Sequence, residues 1–244
     1  FEKIKARLVA NGKQQDRELY PDSSSPTAMM QSIFMCLAVA AKRGSKLAAI
    51  DIGGAYLNAE MTGEEVIMEI DPMMTTMLRR VAPEVVPYID ERGKLLVKLD
   101  RAVYGCVQSA KLWYDTLSGY LREIGFVPNE VDPCVMTRVD THGEQCTIVL
   151  FVDDILVLAQ SDEEINMLQS QLKNRFGDVK CCADADISYL GMHIKVVNGE
   201  THVSMQSYLE GVLKECGITG VVTTPATSDL FDVGEGDVLG TKEA

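Results

Sequence analysis

The sequence predicts an α+β fold in which helices pack against an antiparallel sheet. Two stretches rich in apolar and β-branched residues, 147–159 and 190–204, contain turn residues near their middles, which is typical of β-hairpins. Three others, 28–43, 112–125 and 163–176, carry apolar residues at the spacing of one helix face. A chain of 244 residues can bury one large core or two smaller ones.

The first part of the chain predicts short elements separated by loops. Residues 2–12 mix basic with apolar side chains and end in the turn pair Asn11-Gly12, which favours a strand, and a polar loop follows. Pro26 opens the helix over 28–43, and Gly44 ends it.

A strand then runs to Asp51, and a short helix passes through Tyr56. Residues 65–70 and 95–99 have the composition of strands. Between them, residues 71–92 contain three prolines and a methionine cluster, and we expect an irregular insertion there.

The second half predicts longer elements. The helix over 112–125 carries an aromatic stripe that includes Trp113, for which core packing is favoured over a base-stacking platform. The other elements expected here are a hairpin over 147–159, a helix over 163–176 capped by Ser161 or Asp162, strands at 190–197 and 201–204 joined by Asn198-Gly199, and a helix over 206–216.

Two adjacent acids, Asp153 and Asp154, interrupt the most apolar run of the chain. A buried carboxylate needs a proton or a counter-charge, so the pair is expected at the bend of the 147–159 hairpin, facing a cleft. There the two carboxylates could bind a hard divalent cation. The alternative is a surface turn that contains two acids by chance.

A third acid, Asp51, ends an apolar strand about one hundred residues earlier in the chain. If the two strands pair, Asp51 comes beside Asp153, and like charges at that distance need metal between them. Two-metal sites activate an attacking oxygen and stabilise a leaving oxygen in phosphoryl transfer. The alternative for Asp51 alone is a strand-end or helix-capping role.

The composition restricts the class of protein and its partners. The net charge of −13 disfavours a nucleic-acid partner, but residues 1–50 hold eight basic against four acidic side chains, so a polyanion is expected to approach that segment first. Seven cysteines and three histidines lack disulfide or zinc spacing, which fits a reducing compartment. The apolar stretch 33–41 is too short to span a membrane, and no signal peptide is visible. Because Phe1 is not an initiator methionine, we expect a piece of a longer polypeptide.

Taken together, the motifs resemble the reverse transcriptase domain of copia-type LTR retrotransposon polyproteins. The resemblance is collinear over about residues 3–225. Its blocks are Lys5-Ala6-Arg7-Leu8-Val9-Ala10, Ser25-Pro26-Thr27-Ala28, Asp51 through Asn58, Leu99 through Tyr114, Gly125-Phe126, Asp132-Pro133-Cys134, Phe151-Val152-Asp153-Asp154, Leu190-Gly191-Met192-His193-Ile194, and Ser204-Met205-Gln206 with Tyr208.

The resemblance implies a reverse-transcriptase-like palm with fingers and the beginning of a thumb. The expected division is fingers over 1–47, a palm over 48–200 with a fingers-side insertion at about 60–103, and the start of a thumb over 201–225. Residues 226–244, with five acids against Lys242, form an acidic tail that we expect to be poorly ordered.

The resemblance also implies roles for single residues. Asp51, Asp153 and Asp154 are the implied catalytic acids, and they would hold two Mg²⁺ ions, with the Ile52 carbonyl as a further ligand and Mn²⁺ as a substitute. The implied nucleotide-binding residues are Lys5, Arg7, Tyr56, Gly105 and Gln108. Tyr56 would be the steric gate that excludes a 2′-hydroxyl, and Lys180 is a candidate proton donor to the departing pyrophosphate.

Several positions depart from the family pattern. Ala59 replaces a glycine, Asn11-Gly12 replaces Lys-Gly, Ser109-Ala110-Lys111 replaces Ala-Pro-Arg, and Phe151 replaces a tyrosine, while 179–186 is about two residues longer. None of these changes removes a metal ligand. They bear on efficiency and fidelity rather than on the mechanism.

The implied activity is RNA- or DNA-templated DNA synthesis from deoxynucleoside triphosphates on a primer. The implied partners are a template with its primer, and integrase and ribonuclease H segments of the same polyprotein, with no membrane. The cytoplasm, within a virus-like particle, is the expected location, and the nucleus is the alternative. Two other readings stay open: a catalytically inactive relic that keeps the fold as a binding module, and a nucleotide cyclase in which Gly53-Gly54 cradles phosphate.

Overall fold

A computed structural model describes residues 7–140, 142–197, 199–217 and 220 of the chain. The helices are α1 Met30–Arg43, α2 Pro72–Val81, α3 Ser109–Glu123, α4 Asp162–Phe176 and α5 Gln206–Glu215. Short 3-10 helices span Gly12–Gln14, Arg17–Leu19, Ala55–Asn58 and Pro83–Tyr88. The strands are β1 Lys46–Ile52, β2 Ile67–Ile70, β3 Leu95–Lys98, β4 Val127–Pro128, β5 Val135–Val139, β6 Gln145–Phe151, β7 Asp154–Ala159, β8 Val179–Ala183, β9 Asp186–Tyr189, β10 Met192–Val197 and β11 Glu200–Ser204.

Three antiparallel sheets organise the described residues up to Ser204. The largest has six strands in the order β4-β5-β6-β7-β1-β8, so β1 lies between two strands that come more than one hundred residues later in the sequence. A three-stranded sheet has the order β11-β10-β9, and β2 pairs with β3 alone. The predicted α+β class with an antiparallel sheet and packed helices is confirmed.

One continuous core packs α1, α3 and α4 against the six-stranded sheet. Strand β7 is buried except at its first residue, and β6 has no exposed residue; burying such apolar side chains is the main favourable term in folding. The ring of Phe176 at the end of α4 meets Trp113 and Tyr120 of α3 edge-on, with centroids 5.3 and 5.6 Å apart. The predicted core role of the aromatic stripe is therefore confirmed.

A buried ion pair crosses this core. Arg138 of β5 and Glu164 of α4 are 7% and 3% exposed, and the guanidinium Nε donates to Glu164 Oε1 at 2.7 Å. Arg138 also donates to the Ile124 carbonyl and to the Gln171 side chain, both at 3.1 Å. Its guanidinium lies 4.6 Å from the centroid of the Phe126 ring. One side chain thus ties the sheet to α4 and to the chain after α3.

The helix predicted over 28–43 begins two residues later than expected. The buried Asp132 carboxylate accepts the Met29 N–H at 2.9 Å, and this long-range contact takes the place of a local cap. At the other end Gly44 adopts φ +65°, and the Gly44 and Ser45 N–H groups bond back into the last turn, as in a Schellman motif.

The expectation of irregular chain over 71–92 was wrong. Asp71 caps α2 by accepting the Met74 N–H at 2.8 Å, and Pro72 occupies the first helical position, where its missing N–H costs nothing. An Asp followed by a Pro is a sequence signal for the start of a helix. The short strands β4, β5, β8 and β9 are not predicted from the sequence, and α3 begins at Ser109 rather than at Leu112.

The strand predicted over 2–12 was wrong in its described part. Val9 makes only an isolated parallel bridge to Tyr104, and Ala10 donates its N–H to the Tyr104 carbonyl at 2.7 Å. Here two backbones cross in contact. A Cβ on Gly105 would lie 2.0 Å from the Ala10 carbonyl oxygen, and one on Gly12 would lie 2.0 Å from that of Gly105.

Some of the remaining predictions fall on described residues, and others fall outside them. Helix α4 has Ser161 as its cap, and β10 with β11 forms the predicted second hairpin, although Asn198 of its turn is outside the described residues. All seven cysteines are free thiols.

From Met205 on, the chain forms a separate unit with α5, and the predicted tail 226–244 lies outside the described residues. Within the described residues, no helix has both the length and the apolar character to span a bilayer.

Candidate functional site

The two predicted acidic elements lie side by side in the six-stranded sheet. Strands β1 and β7 pair in a register that sets Asp51 opposite Asp154, and the Ile52 N–H donates to the Asp153 carbonyl at 3.2 Å. The sequence predicts Asp153 beside Asp51. The observed register pairs Asp154 with Asp51 instead, because Asp153 lies in the turn and β7 begins one residue later. Since Ile52 and Asp153 share a hydrogen bond, Asp51 and Asp154 form the closer, non-hydrogen-bonded type of cross-strand pair.

A single row of side chains crosses four strands at this point. Lys180 of β8 faces Asp51, Asp51 faces Asp154, and Asp154 faces Phe151 of β6. Lys180 Nζ lies 3.6 Å from Asp51 Oδ2, and the two side chains are 67% and 47% exposed. The row therefore carries an accessible lysine and two acids, with Asp153 next to it in the turn.

The pKa of Asp154 reflects its burial and the negative charges around it. Burial, and then the nearby carboxylates of Asp153 and Asp51, raise its pKa to about 6. Carboxylate oxygens are the ligands that Mg²⁺ prefers, and a cation would relieve this repulsion, so the donor set fits a divalent metal. In the described part of the chain, however, no three acidic, cysteine or histidine side chains already converge on one point.

The raised pKa of Asp154 gives a stability difference that depends on pH. Because the folded pKa lies above the ordinary value of 3.8, the folded metal-free chain binds a proton that the unfolded chain releases. This stabilisation is complete below about pH 4 and is lost as the pH rises through about 6. After allowance for partial exposure we expect a loss of about 1–2 kcal/mol.

The measurement is urea unfolding in EDTA at pH 4, 5, 6 and 7 for the wild type and Asp154→Asn. The difference between the two stabilities isolates this carboxyl from all other titrating groups. We expect the wild type to lose stability relative to the variant across this window. Parallel curves would contradict the assignment.

A residue that was predicted only as core also reaches the turn. The indole Nε1–H of Trp113 donates to the Val152 carbonyl at 2.7 Å, and Val152 has φ +58°, in the left-handed region. The two residues are 39 positions apart, so no local sequence signal announces the contact.

Another missed contact lies beside Asp51. The Gly53 N–H donates to the Asp178 carbonyl at 2.7 Å, and a Cβ on Gly53 would lie 2.3 Å from Asp178 Oδ2. Asp178 precedes β8, which carries Lys180. A side chain on Gly53 would therefore displace the Asp178 side chain; the suggested phosphate-cradling role of Gly53 stays a prediction.

Tyr56, the predicted steric gate, is part of an aromatic stack. Its ring centroid lies 4.5 Å from that of Tyr104, and the Arg7 guanidinium lies 5.6 Å from the centroid of the Tyr104 ring. Burial, and then Tyr104 and Asp153, raise the pKa of Tyr56. Three residues from distant parts of the sequence thus form a tilted stack next to the acidic turn, with the two ring planes 48° apart. Lys5 is outside the described residues.

The other predicted nucleotide contacts are engaged within the protein. Gly105 meets the Ala10 backbone, which gives a structural reason for the glycine. Gln108 is buried, accepts from Gln15 Nε2 at 3.1 Å and donates to Met61 Sδ at 3.2 Å. A nucleotide-binding role for either residue stays a prediction, as does the role of the Ile52 carbonyl as a metal ligand.

The sequence matches a known protein family over most of its length. A model of the reverse transcriptase (RNA-dependent DNA polymerase) family matches residues 2–228. The chain is 30% identical over 227 residues to the retrovirus-related Pol polyprotein from transposon RE1 of Arabidopsis thaliana, covering 91% of this chain and 14% of that polyprotein. It is 27% identical over 237 residues to the corresponding polyprotein from transposon TNT 1-94 of Nicotiana tabacum, covering 93% and 16%.

A yeast relative is similar at the same level. The identity to the transposon Ty1-ER2 Gag-Pol polyprotein of Saccharomyces cerevisiae is 28% over 204 residues, which covers 80% of this chain and 10% of the relative. The chain thus spans only 10% to 16% of the length of these relatives. Among solved structures, apo telomerase from Candida tropicalis matches with a TM-score of 0.42 and 9% identity, over 74% of this chain and 41% of that one.

Proposed function

The chain belongs to the reverse transcriptase (RNA-dependent DNA polymerase) family, and from this membership we propose that it joins deoxynucleotides to a primer 3′-hydroxyl as an RNA or DNA template directs. The observation that carries the proposal is the pairing of Asp51 with Asp154 across β1 and β7, with Asp153 in the adjoining turn. Acids crowded in this way suit a site that handles metal-bound phosphates.

We assign the acidic residues to metal binding. Asp51 and Asp153 would hold two Mg²⁺ ions, with Asp154 beside them and the Ile52 carbonyl as a further ligand; Mn²⁺ would substitute. The metal would supply Lewis-acid chemistry: it would lower the pKa of the primer hydroxyl and balance the charge of the triphosphate. The rigid pairing of β1 with β7 fixes the strands that carry Asp51 and Asp154, so the backbone is already in place before substrate arrives.

The Arg7–Tyr104–Tyr56 stack forms the proposed nucleotide side. A guanidinium can bind phosphate oxygens bidentately, so Arg7 would bind the triphosphate, with Lys5 as a second cation and Gly105 and Gln108 as lesser contacts. Lys180 is 67% exposed beside Asp51, and it would be free to give a proton to pyrophosphate once Asp51 turns to the metal.

Tyr56 offers a test of sugar selection. We expect Tyr56→Ala to lower the preference for deoxynucleotides over ribonucleotides by about 10- to 100-fold, because the ring that excludes the 2′-hydroxyl is gone. Tyr56→Phe keeps the ring and should keep the preference. The measurement is single-nucleotide incorporation of dNTP against NTP on one primer–template. Equal selectivity in wild type and Tyr56→Ala would remove Tyr56 from this role.

The deciding experiment for the proposed function is primer extension by the full chain with Mg²⁺ and RNA or DNA templates of different sequence. Incorporation that follows the template supports the polymerase. The alternative, a relic that keeps the fold as a binding module, is favoured by no incorporation together with no Mn²⁺ binding in paramagnetic resonance. Turnover of nucleotide without primer or template would instead indicate a cyclase.

The proposed partners follow from the relatives. Each is a longer Pol or Gag-Pol polyprotein, so we propose that this chain works beside integrase and ribonuclease H segments of one polypeptide. We place that work in the cytoplasm, within a virus-like particle, with the nucleus as the alternative.

A further inference from the structure

The turn between β6 and β7 keeps a β-branched residue in an unfavourable backbone conformation. Val152 has φ +58°, and in the described part of the chain Leu190 is the only other non-glycine residue with positive φ. The Cβ of an L-residue crowds the backbone there, most of all when it is branched. Such conformations persist where the surroundings over-determine them.

The constraint comes from a side chain that the core holds in place. Trp113 is 1% exposed, its ring meets Phe176 edge-on at 5.3 Å, and its Nε1–H donates to the Val152 carbonyl at 2.7 Å. The peptide bond is planar, so fixing the Val152 carbonyl also fixes the plane of the Asp153 N–H. Packing around the indole therefore sets the direction in which the chain enters Asp153.

We infer that Trp113 is a positioning residue for the acidic turn: its indole N–H holds the Val152–Asp153 peptide in the orientation that leaves Asp153 in the turn next to Asp154, with its carbonyl accepting the Ile52 N–H. Its effect on catalysis rests on the proposed function, whereas its effect on the turn does not. Helical spacing explains why Trp113 is buried, but it does not explain why its polar atom points at this carbonyl.

A single tryptophan makes a clean test possible. Because the chain contains one Trp, expression in a tryptophan auxotroph fed an analogue with sulfur in place of the ring N–H alters residue 113 alone. The bicyclic shape stays and only the donor is lost. We expect kcat for nucleotide incorporation to fall about 10- to 100-fold while KM for the nucleotide changes less than about threefold, since small displacements of reacting groups cost this much.

Tyr120→Phe is the matched control. Tyr120 lies on the same helix, meets Phe176 edge-on as well, and donates its hydroxyl to the Gln171 carbonyl at 2.9 Å. The control thus removes one hydrogen bond of the same kind that does not involve the turn. We expect it to leave kcat within about twofold of wild type; an equal fall in both proteins would make Trp113 merely structural and overturn the inference.

Val152→Gly supplies a rescue test. Glycine adopts positive φ without a steric penalty, so the turn of this variant needs the indole bond less. We expect the analogue to lower kcat at least about fivefold less in the Val152→Gly background than in wild type. Fully additive effects would show that the bond and the backbone conformation are unrelated.

The same cycle in urea unfolding separates this inference from the proposed function. If no form of the chain extends a primer, the polymerase assignment fails, yet the midpoint shift caused by the analogue still reports on the turn. We expect Val152→Gly to at least halve that shift. An unchanged shift would overturn the inference whatever the activity.

Discussion

Asp51→Asn and Asp153→Asn are each expected to lower templated nucleotide incorporation about 10³-fold, equivalent to about 4 kcal/mol of transition-state stabilisation. An amide keeps the size of the carboxylate and loses its charge, so the fold should stay intact. Asp154 is proposed to lie beside the metal rather than to bind it directly, and its carboxyl has a raised pKa. Asp154→Asn should therefore lower nucleotide incorporation less, by about 10- to 100-fold.

Asp115→Asn is the control for these variants. Asp115 is exposed on α3 and pairs with Lys111 at 2.6 Å, and it is not one of the residues of the acidic row. Activity is measured by primer extension, and Mn²⁺ binding by paramagnetic resonance gives a readout that needs no turnover. Wild-type activity in Asp153→Asn, or equal Mn²⁺ affinity in wild type and Asp51→Asn, would contradict the proposed metal site.

Glu164→Ala is expected to destabilise the chain by about 3–5 kcal/mol. The change leaves the Arg138 guanidinium buried without its counter-charge, and a buried unpaired charge is far more costly than a missing contact. That loss is a large fraction of the stability of an ordinary domain. Urea unfolding at pH 7 followed by circular dichroism measures it.

Two companion variants separate charge from packing. Replacing both partners, in Arg138→Met with Glu164→Leu, removes both charges and should recover most of the lost stability. Glu69→Ala breaks the exposed pair with Lys94, in which the Lys94 and Glu69 side chains are 33% and 51% exposed, and should cost less than about 0.5 kcal/mol. A cost for Glu164→Ala no larger than that for Glu69→Ala would show that the buried charge is otherwise satisfied.

Elements with a strong local signal could be predicted from the sequence. The α1 and α4 periodicities and the Asp153-Asp154 bend all act within a few residues, so sequence alone placed them. The Asp71-Pro72 signal for the start of α2 is equally local, but the prolines at 83 and 87 favour an irregular segment and mask it. The strand β5 was hidden because its Arg138 is charged, and only the distant Glu164 makes its burial acceptable.

The pairing of the two acid-bearing strands could be predicted from the sequence, but its register could not. Which acid faces Asp51 depends on where the turn ends, and a shift of one residue moves every side chain to the other face of the sheet. The Trp113–Val152 bond, the Gly53–Asp178 contact and the Arg7–Tyr104–Tyr56 stack join residues far apart in sequence. No pattern within one segment can specify such contacts.

The crossing of backbones at Gly12 and Gly105 bears on whether copies of this gene are maintained or decaying. Every missense codon at either position adds a Cβ about 2.0 Å from a main-chain oxygen, so selection for a working fold would admit only silent changes there. In a lineage released from selection, both codons should drift as freely as their neighbours. The ratio of silent to amino-acid-changing differences at these two codons, counted across genomic copies, would therefore reveal which history the family has had.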